Sequence, residues 1–312
     1  MRNACIAALY DLAGRDPKIL ALVADNGAIV YDRYRKDYPG RFINFGIAEA
    51  NMISVAAGLA ACGKVPFAYT IAGFLTMRAY EQIRDDICLQ RMNVKLVGIG
   101  AGFAYSDLGP THHTVEDLAL MRILPGMTIF APCDPQEARK VTFAASEIDG
   151  PVYIRLATGG SPKVYETDRP FEVGKAVTLH KGDDMTIVTT GHIVPEVLAA
   201  VRELENEGIQ IRVLHYPTVK PFDEAALLEA AEQTGPILTV EEHSIFGGLG
   251  SIVSEVLAEN GCGVVCKRMG LRDRFPAGYG SYGWMKEHNG LSSRQIISSV
   301  RSLMECPSGS TS

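Results

Sequence analysis

Short apolar runs alternate with longer segments of helical periodicity, and the alternation lapses once and then restarts. That pattern commits the chain to parallel strands joined by crossover helices, because a parallel pair needs a connection of a dozen residues or more. The first series of strand-like runs is ILALVAD (19–25), RFINFG (41–46), VPFAYT (65–70), VKLVGIG (94–100), MTIFAP (127–132) and PVYIRLA (151–157). Helical segments fall between them: AEANMISVAAGLAACG (48–63), FLTMRAYEQIRDDICLQ (74–90), TVEDLALMRIL (114–124) and DPQEARKVTFAASE (134–147). The stretch TGGSPKVYETDRP (158–170) then breaks the pattern with turn-forming residues and predicts an interdomain linker. The alternation resumes with MTIVTTG (185–191), IQIRVLHYP (209–217), PILTVEE (236–242), the helix SIVSEVLAEN (251–260) and GVVCKRM (263–269). The expected architecture is α/β, two parallel-sheet sandwich domains at 1–160 and 171–305. The linker proper falls at 161–170, and CPSGSTS (306–312) is an expected disordered tail.

Composition narrows the function classes. Of the 312 residues, 47% are hydrophobic and 21% charged, and the net charge of −6 argues against nucleic acid as a partner. No run of eighteen apolar residues is present, so no membrane span is expected. The start, MRNACIAALYDLAGRDPK, reads as an amphipathic helix and not as a signal peptide. Seven scattered cysteines fit a reducing cytosol. Cys262 and Cys266 have the wrong spacing for a zinc knuckle or redox pair and read as small buried residues.

Several residues sit where chemistry is plausible. Glu49 follows a strand end among small and apolar neighbours. It is either an ordinary acid favoured at a helix N-terminus or a functional buried carboxylate, whose pKa burial would raise. Phe74, Met77 and Tyr80 fall at i, i+3 and i+6, one face of an α-helix; core packing and a stacking platform for a flat ring are both consistent with that. In YSDLGPTHHTVED (105–117), Gly109-Pro110 form a turn and Thr111 or Thr114 is placed to cap the next helix, Thr114 with Asp117 resembling a capping box. Adjacent His112 and His113 suggest a metal, but the next histidine is His180, and neighbouring side chains point apart. A histidine on the loop after a parallel strand is, however, where such sheets bind ligands. EEHSIFGGLGS (241–251) is not a GxGxxG fingerprint and reads as a tight strand-to-helix turn.

Three stretches together carry a resemblance. RFINFGIAEANMISVAAGLAACGKVPF (41–67), GFLTMRAYEQIRDD (73–86) and GPTHHTVEDLALMRILPGMTIFAPCDP (109–135) occur in the order and spacing of transketolases. The chain resembles the C-terminal half of one, the pyrimidine-binding domain followed by the C-terminal domain, over nearly all of residues 1–305. Deoxyxylulose-phosphate synthases share the layout more distantly. The resemblance implies thiamine diphosphate as cofactor and transfer of a two-carbon ketol unit from a ketose to an aldose. It implies that Glu49 contacts the aminopyrimidine ring, that Phe74 stacks on it, and that Met77, Tyr80 and Asp25 lie beside the cofactor. It gives His112 proton transfer at substrate oxygens, and gives Arg155 and Arg2 the binding of a sugar phosphate.

The departures are as informative. The family's magnesium-binding GDG…N motif is missing; KGDD lacks its second glycine and the downstream asparagine. With a helix beginning at Met1, the expectation is one subunit of a split transketolase. A partner would bring the diphosphate-binding domain and most of the Mg2+ ligands, in an assembly with two copies of each chain. Where the family has Gly-Glu-Asp before GPTH, this chain has Ser106, Asp107 and Leu108, so an apolar side chain takes a hydroxyl-binding position and Asp107 is a displaced substitute. Gly100 stands in place of a phosphate-contacting histidine, and NGAIV after Asp25 lacks a serine of the same site. These changes point away from the usual pentose phosphates, toward a modified, deoxy or sulfonated sugar. A chain closer to deoxyxylulose-phosphate synthase, or a non-catalytic assembly subunit, are the alternatives.

Overall fold

The computed structural model describes residues 1–158 and 160–305. Twelve strands form two sheets: β1 (Ile19–Val23), β2 (Phe42–Asn44), β3 (Val65–Ile71), β4 (Lys95–Ile99), β5 (Thr128–Phe130), β6 (Val152–Leu156), β7 (Val177–His180), β8 (Met185–Thr189), β9 (Ile211–His215), β10 (Thr218–Lys220), β11 (Ile237–Ser244) and β12 (Cys266–Leu271). The first sheet runs β10-β5-β6-β4-β3-β1-β2 and the second β12-β11-β8-β9-β7. Every pairing is parallel except β10 with β5 and β7 with β9. Helices on both faces explain why β1, β4, β6 and β8 are buried at every position and read as apolar runs without alternation. In β1, Ile19, Ala21 and Val23 pack toward helices Arg2–Arg15 and Pro135–Glu147, and Leu20 and Leu22 toward helix Glu49–Ala61.

The two halves are less separate than the linker suggested. β10 lies beyond the linker in sequence yet closes the edge of the first sheet against β5. Lys220 in β10 donates from Nζ to the carbonyls of Arg122 (2.8 Å) and Leu124 (2.7 Å), capping the end of helix Asp117–Arg122. One apolar cluster joins Leu118 and Met121 of the first half to Val188, Leu214 and Leu249 of the second. The strands β7 and β10 are too short and too polar for the apolar-run criterion. The last strand begins at Cys266, not Gly263, and Cys262 and Cys266 are half-buried at the core's margin. The expected tail at 306–312 lies outside the described residues. No described helix is long and apolar enough to cross a membrane.

Candidate active site

The C-terminal ends of β1 to β4 converge on one edge of the first sheet. After β2 the chain turns through Gly46, in the left-handed region at φ 66°, and enters helix Glu49–Ala61. Glu49 stands at the start of that helix and is 1% exposed. Its Oε2 accepts a hydrogen bond of 2.6 Å from Nη1 of Arg78, whose side chain is 47% exposed. The Arg78 guanidinium carbon also lies 4.5 Å from the centroid of the Phe74 ring. A planar cation thus bonds a buried carboxylate while covering an aromatic face.

Arg78 was not among the expected site residues, and the helix explains why. Residues 74–88 are not a regular α-helix: wide π-type turns at Phe74–Arg78 and Ile83–Cys88 flank a short α-helical turn at Tyr80–Gln82. Such turns shift which side chains share a face. The expected row of Phe74, Met77 and Tyr80 is therefore broken. Met77 points outward, 42% exposed, and Tyr80 packs against the core, while Arg78 swings over Phe74.

The loop after β4 brings in the histidines. Gly109, at φ 81°, offers its carbonyl to the backbone N–H of His112 (3.0 Å) and His113 (3.3 Å), so a tight turn sends the two rings apart. The His112 ring stands edge-on to Phe74 at 5.3 Å and to Tyr105 at 6.4 Å, with Nδ1 3.1 Å from Thr111 Oγ1. His113 turns inward onto Phe103, is 5% exposed, and burial pulls its pKa down. The expected cap does not form. Thr114 instead pairs with Gly102 in a β-bridge, and Asp117 turns into the interior.

Asp25 follows β1 in a left-handed conformation, φ 52°, that aspartate tolerates. The side chain of Asn44 holds it there, accepting from Asp25 N–H (3.1 Å) and donating to Oδ1 (3.2 Å). Asp107 and Leu108 face solvent, whereas Ser106 is buried and its carbonyl accepts from Gly280 N–H at 2.9 Å. Arg2, in the first turn of helix Arg2–Arg15, is half-buried and bonds Asn3 Oδ1 at 3.2 Å.

Arg155 is a correction. Its side chain is 3% exposed and lies between the sheets. Nε donates to Asp117 Oδ2 at 2.8 Å, and Nη2 to the carbonyls of Glu242 (2.9 Å) and Thr114 (3.4 Å). Asp117 Oδ2 also accepts from Tyr153 Oη at 2.7 Å. A guanidinium so committed is a strut between the two halves, not an exposed receptor for a sugar phosphate.

The second half braces the histidine loop. Buried Glu242 accepts from Phe103 N–H through Oε1 and from Tyr282 Oη through Oε2 at 2.7 Å, with His192 Nε2 2.9 Å away. Burial alone would raise the pKa of Glu242, but His192, Tyr282 and the Phe103 amide together hold it below the usual value. Gly102, φ 64°, permits this approach, since a Cβ there would lie 2.6 Å from Glu242 Oε1. Ser244 N–H adds a bond to the Val115 carbonyl at 2.7 Å. The glycine-rich turn has a comparable role. Glu241 receives the N–H groups of Leu249 and Gly250, both at 2.7 Å, so the chain's own carboxylate takes the anion position at that helix start. One group of metal-capable side chains, Cys133, Glu137 and His215, lies together among the described residues. Glu137 is already bonded by His215 Nε2 (2.9 Å), Tyr165 Oη (2.7 Å) and Cys133 N–H (2.7 Å), and burial pushes the Cys133 thiol up.

Residues 1–161 match the family model for the transketolase pyrimidine-binding domain, and residues 174–296 that for the transketolase C-terminal domain. The chain belongs to the transketolase family. It is 40% identical to the 6-deoxy-6-sulfo-D-fructose transketolase subunit of Clostridium sp. strain MSTE9, over 98% of this chain and 94% of that one. It is 42% identical to an apulose-4-phosphate transketolase subunit of Phocaeicola vulgatus, over 81% of each. Among solved structures, a split-gene transketolase described as an inactive beta4 tetramer superposes with a TM-score of 0.88 at 41% identity, covering 97% of both chains.

Transketolases depend on thiamine diphosphate. The residues present fit its aminopyrimidine, because the Arg78 guanidinium already makes both contacts that a flat, nitrogen-bearing ring needs: a bond to Glu49 and a seat on Phe74.

Proposed function

We propose that this chain is the C-terminal subunit of a split transketolase, moving a two-carbon ketol unit from a ketose to an aldose. The observation that carries the proposal is the cluster of Glu49, Phe74 and His112 on one sheet edge, in a chain that matches split-transketolase subunits along most of their length. Thiamine diphosphate, when bound, supplies the nucleophilic carbon and the electron sink. Glu49 would hold or pass a proton at Oε2, and Phe74 would present the stacking face. The Thr111–His112 contact leaves Nε2 of His112 to exchange a proton with a substrate oxygen in either tautomer.

In this reading a partner chain supplies the diphosphate-binding domain and the Mg2+ ligands, and the cofactor lies between the two chains in an assembly with two copies of each. Exposed apolar side chains near the site support the interface: Ile29 (83%) after β1, Ile47 (79%) just before Glu49, and Met77. A cytosolic setting accords with the six described cysteines, all free. The substrate we infer is a ketose other than the common pentose phosphates, supported by Leu108 exposed at the loop (48%) and by two relatives whose names specify modified sugars. Turnover of ketose donors and of pyruvate is to be measured with thiamine diphosphate and Mg2+, for this chain alone and with the partner. The expected result is ketose-dependent transfer only in the mixture. Robust activity of the chain alone, or pyruvate as the preferred donor, would refute the reading.

A further inference from the structure

Gly100 and Tyr105, five residues apart, are interlocked in the structure. Gly100 follows β4 at φ 77°. A Cβ placed on it would lie 2.0 Å from Cε2 and 2.1 Å from Cδ2 of Tyr105, so the tyrosine ring fills the volume any side chain at 100 would need. The same ring meets His112 edge-on at 6.4 Å, and His112 meets Phe74 at 5.3 Å, giving one continuous aromatic wall from the stacking residue outward. Leu108 lies three residues further along the loop, its N–H bonded to the Tyr105 carbonyl at 3.1 Å.

Tyr69 of β3 is 1% exposed, and its hydroxyl has no hydrogen-bond partner among the described residues. Burial chiefly pushes this phenol up. The Tyr69 ring takes the space over Gly27, where a Cβ would meet its Oη at 3.0 Å. Beside His112 the loop thus presents a fixed aromatic ring, Tyr105, followed by the exposed apolar side chain of Leu108.

We propose that Tyr105, seated over Gly100 beside His112, is a specificity-determining residue that selects ketose donors with a deoxygenated carbon against its ring. This rests on the transketolase reading above. A sugar hydroxyl pressed on the face of the ring would lose water and gain no partner, whereas a methylene there loses nothing.

The test uses the assembled two-subunit holoenzyme with 6-deoxy-6-sulfo-D-fructose and D-fructose 6-phosphate, anionic donors alike, and with 6-deoxy-D-fructose and D-fructose, which differ only in one hydroxyl. Expected is a preference of the wild type for the deoxygenated member of the second pair. Tyr105→Ala should shrink that kcat/KM ratio tenfold or more, mainly through KM, and Gly100→Ala should do the same by expelling the ring. Tyr105→Phe should keep the ratio within threefold. Thiamine diphosphate affinity, followed by fluorescence titration, should stay within twofold of wild type in every variant. Should Gly100→Ala fail to fold at its positive φ, Tyr105→Ala alone decides the matter. An unchanged ratio in Tyr105→Ala, or a loss of cofactor affinity matching the loss of rate, would overturn the proposal. The preference for 6-deoxy-6-sulfo-D-fructose over D-fructose 6-phosphate should fall in parallel in Tyr105→Ala. Absence of two-carbon transfer from every ketose in the wild type would instead overturn the transketolase reading itself.

Discussion

Replacing Arg155 by methionine separates a structural role from a substrate-binding one. The substitution keeps most of the buried volume and deletes the charge. It leaves the Asp117 carboxylate, at 0% side-chain exposure, with Tyr153 Oη as its one close donor, and takes a donor from the carbonyls of Glu242 and Thr114. Removing one partner of a buried ion pair costs about 3–5 kcal/mol, because the other charge stays desolvated and unpaired. At about 2 °C per kcal/mol for a chain of this size, the expected fall in Tm is roughly 6–10 °C. Asp117→Asn in the same chain removes the stranded charge while still accepting from Tyr153, so the double variant should recover at least half of the loss. Calorimetry or urea unfolding of wild type, Arg155→Met and the double variant reads this directly. A variant as stable as wild type, with only the KM for phosphorylated donors raised, would refute the strut and restore Arg155 to the sugar site.

Glu49→Gln should lower turnover of the assembled enzyme more than a hundredfold while leaving assembly intact by size-exclusion chromatography; full activity would remove Glu49 from proton transfer. Arg78→Ala should tighten thiamine diphosphate binding roughly fivefold, since a cation–π contact and a half-exposed ion pair worth about 1 kcal/mol need no longer be displaced; weaker binding in a titration would show that Arg78 helps hold the cofactor. Glu137 and Glu242 are both held below the ordinary carboxyl pKa despite burial, the first by His215 and its other donors, the second by His192, Tyr282 and the Phe103 amide. A depressed folded pKa gives stability that is present above the unfolded value, about 4.3, and is lost as pH falls through the folded value. Glu241, raised by burial, contributes with the opposite sign. Glu242→Gln should therefore flatten the loss of stability below about pH 4.5 in unfolding curves taken across pH, and an unchanged acid limb would contradict the assignment.

Most of the fold was legible because parallel strands buried on both faces need uninterrupted apolar runs, and the crossover helices need their own spacing. ILALV, KLVGI, VYIRL and MTIVT became the fully buried β1, β4, β6 and β8. β7 and β10 escaped notice because each is a short antiparallel edge partner, defined by its neighbour and not by its own composition. Glu49, Phe74 and His112 could be singled out because each follows a strand end. Helical spacing did not anticipate the outward turn of Met77, since nothing in FLTMRAYEQ announces a π-type turn.

Local chemistry in the sequence thus determined the two-sheet α/β class, the sheet edge that bears function, and the glycines that permit its turns. The tertiary structure alone decided which distant partner each buried charge would find. Arg155 with Asp117, Glu242 with the Phe103 amide, and Glu137 with His215 join residues separated by 38, 139 and 78 positions. It also decided that Arg78 would stand on Phe74 and that Tyr105 would fill the space over Gly100. The physical reason is shared. Spacing along a chain specifies which face a side chain takes, but a buried charge or an aromatic ring settles against whatever partner and volume the packed elements leave for it.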